Sequence, residues 1–165
     1  MNTFRKITEK MPPDVEQVLK GLPFSIVSEV EEIRMRCGQN IRLQCGFRER
    51  SLPCRISQED LQKTLNNLIQ YSYYAYEEDL AKGFVTIEGG HRVGICGKAV
   101  IKKGQPGLIK EICSFNIRFA KEIKGCASKV IGEILAGGRP VITLIISPPG
   151  CGKTTLLRDI ARELS

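Results

Sequence analysis

The sequence predicts an α/β protein in two parts. The first is an N-terminal α+β domain built on an antiparallel sheet, and the second is a strand–loop–helix unit of the kind that opens a parallel α/β core. Short runs of alternating polar and apolar residues recur through most of the chain, as half-buried antiparallel strands require. A nearly continuous apolar run over residues 141–146 then predicts a central parallel strand buried on both faces, and a glycine-containing loop and an amphipathic segment follow it. We place the boundary after residue 137, which gives predicted domains of 1–137 and 138–165.

The first elements are a short helix and three strands. Pro13 can open a helix and Gly21 can close it. Polar and apolar residues alternate over residues 32–36 and 41–45, with a turn between them, so we expect a hairpin. A third short strand is predicted over residues 51–56.

A helix and further strands follow. Ser57 is a predicted N-cap because Asp60 stands three residues later, ahead of leucines at helical spacing. Residues 83–87 and 92–101 predict a second hairpin, and residues 109–119 predict another strand. Residues 126–135 predict a helix that ends at two glycines.

Four tyrosines lie between the first of these helices and the second hairpin, at Tyr71, Tyr73, Tyr74 and Tyr76. Aromatic side chains beside basic ones can stack the bases of a single-stranded nucleic acid. The basic residues lie elsewhere in the sequence, so we expect these tyrosines to pack in the core or against the helix.

Charge is distributed unevenly along the chain. Residues 1–80 hold 11 Lys and Arg against 12 Asp and Glu, whereas residues 81–165 hold 14 against 6. The excess indicates either a solvated basic surface or a face toward nucleic acid, acidic lipid or an acidic partner. No apolar run approaches the roughly 20 residues of a membrane span, and no signal peptide is recognisable. The seven cysteines have no C-x-x-C spacing, which indicates free thiols in the cytoplasm.

Residues 147–155 contain the phosphate-binding pattern G-x-x-x-x-G-K-[ST], which ends at Thr154 and has serine in place of the first glycine. Glycines let the backbone turn with its amides pointing at an anion, and the following helix adds its N-terminal N–H groups. We expect Lys153 to reach the β- and γ-phosphates and Thr154 to ligate Mg²⁺. The predicted ATP- and Mg²⁺-binding residues are Ser147, Gly150, Cys151, Gly152, Lys153, Thr154 and Thr155.

Phosphoryl transfer also needs an acidic residue that holds Mg²⁺ and usually an arginine finger. Only ten residues follow Thr155, and their pattern is helical. We therefore expect a shortened chain that carries the first unit of an ATPase core and no catalytic residue of its own. Residues 141–164 would then lack sheet partners.

The chain resembles the stage III sporulation protein AA ATPases of endospore-forming bacteria. The resemblance rests on residues 32–36, 83–97, 115–118, 124–126 and 146–159, and its most distinctive parts are Gly-Gly-His-Arg-Val-Gly and the Ser-Pro-Pro-Gly loop. The layout is also similar to type II/IV secretion ATPases, which implies a RecA-like core and a hexameric ring. By the same resemblance, Arg92 and Arg118 are candidate nucleotide contacts.

The resemblance implies a motor ATPase in the mother-cell cytoplasm, peripheral at the membrane, whose partners are membrane components of a channel to the forespore. ATP hydrolysis would belong to the full-length parent. Two alternatives remain: a basic nucleic-acid-binding module, and an assembly or docking module that carries a phosphate loop. We do not expect nucleic acid as the partner. We interpret His91, the single histidine, as a structural or surface residue.

Overall fold

The computed structural model describes residues 2–102, 105–120, 123–148 and 151–165. The chain forms two compact units, residues 1–120 and residues 121–165. The predicted boundary at residue 137 lies inside the second unit. Because a compact packing unit and a sequence domain are different divisions of a chain, the division into 1–137 and 138–165 stays a prediction.

Prolines or a capping serine precede three helices of the first unit. Its helical elements are α1 (Asn2–Thr8), α2 (Pro13–Lys20), α3 (Phe24–Val27), α4 (Gln58–Leu68), a 3-10 turn (Tyr73–Tyr76) and α5 (Glu77–Ala81). The predicted capping box at α4 is present, because Ser57 Oγ accepts from the Asp60 N–H at 3.1 Å and Asp60 accepts from the Ser57 N–H at 2.9 Å. Gly21 ends α2 as predicted.

Six antiparallel strands form the sheet of the first unit. They are β1 (Val30–Arg36), β2 (Asn40–Cys45), β3 (Arg48–Arg55), β4 (Phe84–Ile87), β5 (His91–Lys102) and β6 (Gln105–Arg118). Their order is β3-β2-β1-β6-β5-β4, so two three-stranded meanders meet at a single ladder between β1 and β6. In that ladder Ile33 lies opposite Ile117. The predicted antiparallel α+β fold is confirmed.

Period-two alternation gives this sheet one apolar and one polar face. Ile33, Met35, Leu43 and Ile117 are buried on the apolar face. The helices cover that face with Val15 and Leu19 of α2, Leu61 and Leu65 of α4, and Leu80 of α5. Arginines and an asparagine stand on the opposite, polar face.

The second unit is small. It contains α6 (Ile131–Ile134), the two-stranded ribbon β7 (Leu135–Ala136) and β8 (Arg139–Pro140), and α7 (Lys153–Glu163). The predicted helix over residues 126–135 is wrong in extent, because only the single turn α6 forms. Residues before it instead bend so that the Ala127 N–H donates to the Asp159 carboxylate at 2.8 Å. Gly137 and Gly138 form the ribbon's turn at φ 59° and 78°.

The prediction that residues 141–146 form a strand buried on both faces is also wrong. They join no β-ladder among the described residues, and Ile142 and Leu144 are 107% and 82% exposed. A central parallel strand needs neighbours on both edges and helices on both faces. Among the described residues no strand pairs with this segment, as expected for residues that lack sheet partners. Helical residues reach one side of it, because Ile145 packs against the cluster of Ala127, Ile134 and Ile160.

Two of the four tyrosines follow the expectation. Tyr76 packs against the core, and the Tyr73 hydroxyl accepts a hydrogen bond from Gln62 of α4 at 2.9 Å. Tyr71 and Tyr74 are instead exposed. Gln70 and Tyr71 adopt left-handed backbone angles, with φ of 50° and 58°, and this turn at the end of α4 directs the chain away from the core. Of the helices in the described ranges, none has the length and apolarity that crossing a bilayer requires.

Candidate phosphate-binding loop

The start of α7 combines a left-handed glycine with uncapped backbone amides. Gly152, just before the helix, has φ 78° and ψ 15°, a conformation that glycine adopts without strain. No described side chain caps the helix, and the first N–H groups of a helix have no partner within it. Those amides and the positive end of the helix dipole therefore favour an anion. Pro149 and the predicted contact Gly150 lie outside the described residues.

Lys153 folds back over the loop that precedes it. Its ammonium donates to the Ser147 carbonyl at 2.6 Å, to Ser147 Oγ at 3.1 Å and to the Pro148 carbonyl at 2.8 Å. An ammonium has three N–H donors, and the loop satisfies all three. The two ends of the predicted motif are thus brought together, with a fixed positive charge between them.

The remaining predicted loop residues surround the helix start. Cys151, Gly152 and Thr154 are exposed, and Thr155 is half-buried. The Thr154 hydroxyl is therefore accessible to a ligand. The Thr155 carbonyl lies 3.8 Å from the Cys126 sulfur, which ties the helix start to the segment around residue 126.

Asp159 is the residue at this site that the sequence interpretation missed. Its carboxylate is 1% exposed and accepts from the Ala127 N–H at 2.8 Å and from Arg162 at 2.6 Å. The Ala127 N–H, followed by the Arg162 guanidinium, lowers the pKa of the Asp159 carboxyl to about 2. A usable signal was present, because Asp159 lies three residues after Leu156 and next to Ile160, on the apolar face of α7. An acid on a buried face needs partners.

Arg92 and Arg118, the other predicted contacts, lie in the first unit. They stand opposite each other in the β5–β6 ladder and are both exposed on the polar face. The Arg92 guanidinium stacks on the Phe84 ring at 3.8 Å from its centroid. Arg118 donates to Glu32 at 2.7 Å.

Glu32 anchors the charges on this face. It is 5% exposed and accepts hydrogen bonds from Arg118 and Arg34. The amide of Asn116, in the orientation that satisfies both of its polar atoms, donates to the same carboxylate at 2.8 Å. Burial by itself would raise the pKa of the Glu32 carboxyl, but the hydrogen bonds from Arg118 and Arg34 leave it below its usual value.

Comparison with solved structures relates the chain to secretion and pilus ATPases, all below 25% identity. The pilus retraction motor PilT with bound ADP has a TM-score of 0.50 and 16% identity, and the match covers 85% of this chain and 41% of the PilT chain. The Legionella pneumophila ATPase DotB has a TM-score of 0.46 and 20% identity, and the match covers 83% of this chain and 38% of DotB. The VirB11 ATPase of the Brucella suis type IV secretion system, in complex with sulphate, has a TM-score of 0.43 and 12% identity. That match covers 96% of this chain and 56% of the VirB11 chain. The likeness to PilT shows a shared fold.

Sequence comparison gives a more specific answer. Residues 4–165 match the family model described as sporulation stage III, protein AA. The chain is 38% identical over 157 residues to stage III sporulation protein AA of Bacillus subtilis strain 168, covering 95% of this chain and 51% of that protein. It therefore spans about half the length of this curated relative. On both measures the chain belongs to the stage III sporulation protein AA family.

Proposed function

We propose that this chain binds Mg-ATP at residues 147–155, as part of a motor ATPase that acts in sporulation. The observation that carries the proposal is the position of Lys153, the first residue of α7, whose ammonium is held among three loop oxygens, in a helix that no described side chain caps. A positive charge beside free helix amides is an arrangement suited to phosphate. Membership of the sporulation family supports the cellular role.

The described residues fit the phosphates and the metal. Lys153 would exchange its contacts with Ser147 and Pro148 for the β- and γ-phosphate oxygens, because a charged acceptor is the stronger partner. The exposed Thr154 hydroxyl would ligate Mg²⁺, and Thr155 would contact the α-phosphate. When bound, Mg²⁺ neutralises charge on the β- and γ-phosphates. The loop itself does not distinguish adenine from guanine, so the proposal of ATP as the nucleotide rests on the family.

Substituting Lys153→Ala should weaken Mg-ATP binding by about 10- to 100-fold, because a hydrogen bond to a charged group contributes about 1.5–3 kcal/mol. Isothermal titration of the purified chain measures this. Lys129→Ala is a suitable control, since it removes an exposed lysine from the same unit. Equal affinity of the Lys153 variant and the control would contradict the proposed site.

The same titration addresses the two arginines. We propose that Arg92 and Arg118 contact the nucleotide as a pair, because their register places them side by side on the open polar face. Arg92→Ala and Arg118→Ala should each reduce affinity for Mg-ATP, whereas Arg36→Ala, a change on the same face of β1, should not. Loss of affinity in all three variants would indicate a general effect of charge instead.

Ring formation and attachment to a channel are the wider parts of the proposal. The protein would assemble as a hexamer in the mother-cell cytoplasm, against membrane components of a channel to the forespore. The alternative, a basic nucleic-acid-binding module, is distinguished by its salt dependence. Tight oligonucleotide binding that weakens steeply with salt would favour that alternative.

A further inference from the structure

The first unit contains a cavity of about 360 Å³ that the proposed nucleotide site does not use. It lies among α1, the end of α4 and the turn between β4 and β5. Its size is within the range of small-molecule sites, which is about 300–1,000 Å³. His91 and Gly89, both part of the distinctive Gly-Gly-His motif, line it.

His91 presents a buried hydrogen-bond donor to this cavity. The side chain is 2% exposed, and its Nδ1 atom accepts from the Ala120 N–H at 2.8 Å. An Nδ1 atom that accepts carries no proton, so the neutral ring bears its hydrogen on Nε2. Burial lowers the pKa of the ring, which favours this neutral form.

The Nε2 atom is directed toward Gly89. A Cβ added to Gly89 would lie 2.6 Å from Nε2, so the absence of a side chain there leaves that end of the ring accessible. Within the described ranges His91 makes no second hydrogen bond, so its Nε2 atom has no partner there. Every fully buried side-chain nitrogen among the described residues does have a partner, so Nε2 cannot be fully buried. The Nε2–H group therefore reaches the cavity surface and has no acceptor from the described chain.

The rest of the wall specifies what an acceptor should look like. Lys6 is paired with Glu88 at 3.2 Å, and Glu9 lies 3.8 Å from Lys20. Lys10 also lines the cavity, and its ammonium has no ion pair among the described residues. Apolar surface comes from Ile7, Leu68 and Ile87. The cavity thus offers one neutral N–H donor, one cation without a described ion pair and an apolar wall, together with the Glu9 carboxylate, whose partner Lys20 lies closer to Glu16, at 2.5 Å.

We propose that this cavity binds a small monocarboxylate, whose carboxylate accepts a hydrogen bond from His91 Nε2 and lies near Lys10. Its apolar body packs against Ile7, Leu68 and Ile87. A dianion is a poorer match, because Lys6 is already neutralised by Glu88. A neutral amide would gain no charge attraction from the Lys10 ammonium.

The single histidine makes the proposal directly measurable. A long-range ¹H–¹⁵N spectrum of the labelled chain contains one imidazole, so its Nε2 and Hε2 signals report on the cavity. Hexanoate should shift both signals in a saturable manner. Hexanamide and acetate should bind about tenfold more weakly, since each lacks either the charge or the apolar body. Equal binding of hexanoate and hexanamide, or no shift with hexanoate, would overturn the proposal.

Two adjacent glycines provide a matched pair of variants. Gly89 and Gly90 both have positive φ, of 87° and 75°, so alanine strains the backbone at either position. Only at Gly89 would the new methyl meet His91, whereas a Cβ at Gly90 meets no atom within 4 Å. Gly89→Ala should abolish the hexanoate-induced shift and Gly90→Ala should retain it. The same response from both variants would overturn the proposal.

If Gly89→Ala does not fold, as judged by its backbone amide spectrum, Lys10→Met gives a second test at the rim. It should weaken hexanoate binding about tenfold and leave hexanamide binding unchanged, because only the charge is removed. Hexanoate affinity equal to that of the parent chain would overturn the proposal.

Discussion

His91 shows how one backbone contact can determine the chemistry of a side chain. The Ala120 N–H donates to Nδ1, and Phe119 packs against the ring with centroids 5.8 Å apart. A protonated ring would lose this acceptor and would carry a charge where little water can reach it. The residue is therefore both a structural support for the end of β6 and a donor to the cavity.

This environment predicts a pH dependence of stability. Burial lowers the pKa of His91 in the folded chain below its ordinary value of 6.5. At a pH near or below 6.5 the unfolded chain therefore binds more protons than the folded chain. The stability that His91 contributes to the folded chain is complete above about pH 6.5, and it declines as the pH falls through the lower pKa of the folded state. Charged side chains lining the same cavity are Lys6, Glu9, Lys10 and Glu88.

An NMR titration of the single histidine should give a folded-state pKa below that of the urea-unfolded chain. Urea unfolding at about pH 7.5 and about pH 5.5 should show lower stability at the lower pH. A folded-state pKa equal to or above the unfolded value would show that the ring is not held neutral by burial.

At the scale of elements, Asp159 holds α7 to the turn before α6. Replacing it by Asn keeps the size and removes the charge, so the bonds from the Ala127 N–H and Arg162 should weaken. We expect several-fold faster hydrogen exchange of the Ala127 amide and a lower melting temperature of the second unit. The six-stranded sheet should be unaffected.

Glu163→Gln is the matched control, because Glu163 pairs with the same Arg162 at 2.6 Å but is 41% exposed. Exposed ion pairs contribute little to stability. Equal effects of the two variants would mean that Asp159 acts only as one more surface partner of Arg162.

Elements with a strong local signal were the ones that the sequence predicted well. The alternation over residues 32–36 gave β1, and the Ser57–Asp60 spacing gave the capping box of α4. The sequence predicts a longer helix over residues 126–135, because periodicity cannot detect the hydrogen bond from the Ala127 N–H to Asp159, which lies 32 residues later. Residues 141–146 have the composition of a buried strand, but composition does not supply neighbours.

The candidate site shows the same division. The contact between Lys153 and Ser147 lies within one contiguous motif, so both residues could be named from the sequence. The pairing of Arg92 with Arg118 depends on the register of two strands, and spacing alone does not give it. The His91 cavity combines α1, α4 and β5, which are far apart in sequence.

At the scale of the whole molecule, the exposed segment at residues 141–146 should influence solution behaviour. Ile142, Leu144 and Ile146 present contiguous apolar surface, which favours association. The double substitution Ile142→Ser and Leu144→Ser should shift the chain toward monomer in sedimentation velocity over a concentration series. Thr143→Ser serves as the control. Association of the double variant as strong as that of the parent chain would mean that another surface is responsible.

The strand order β3-β2-β1-β6-β5-β4 has one more consequence, for how the sheet is assembled. Each meander is continuous in sequence, and only the β1–β6 ladder joins one to the other. The link between the meanders runs through α4, the 3-10 turn and α5, and includes the exposed stretch at Tyr71 and Tyr74. A chain cut within that stretch would leave two complementary halves, each with its local hairpins intact. The first unit is therefore a natural candidate for reconstitution from two separately expressed fragments.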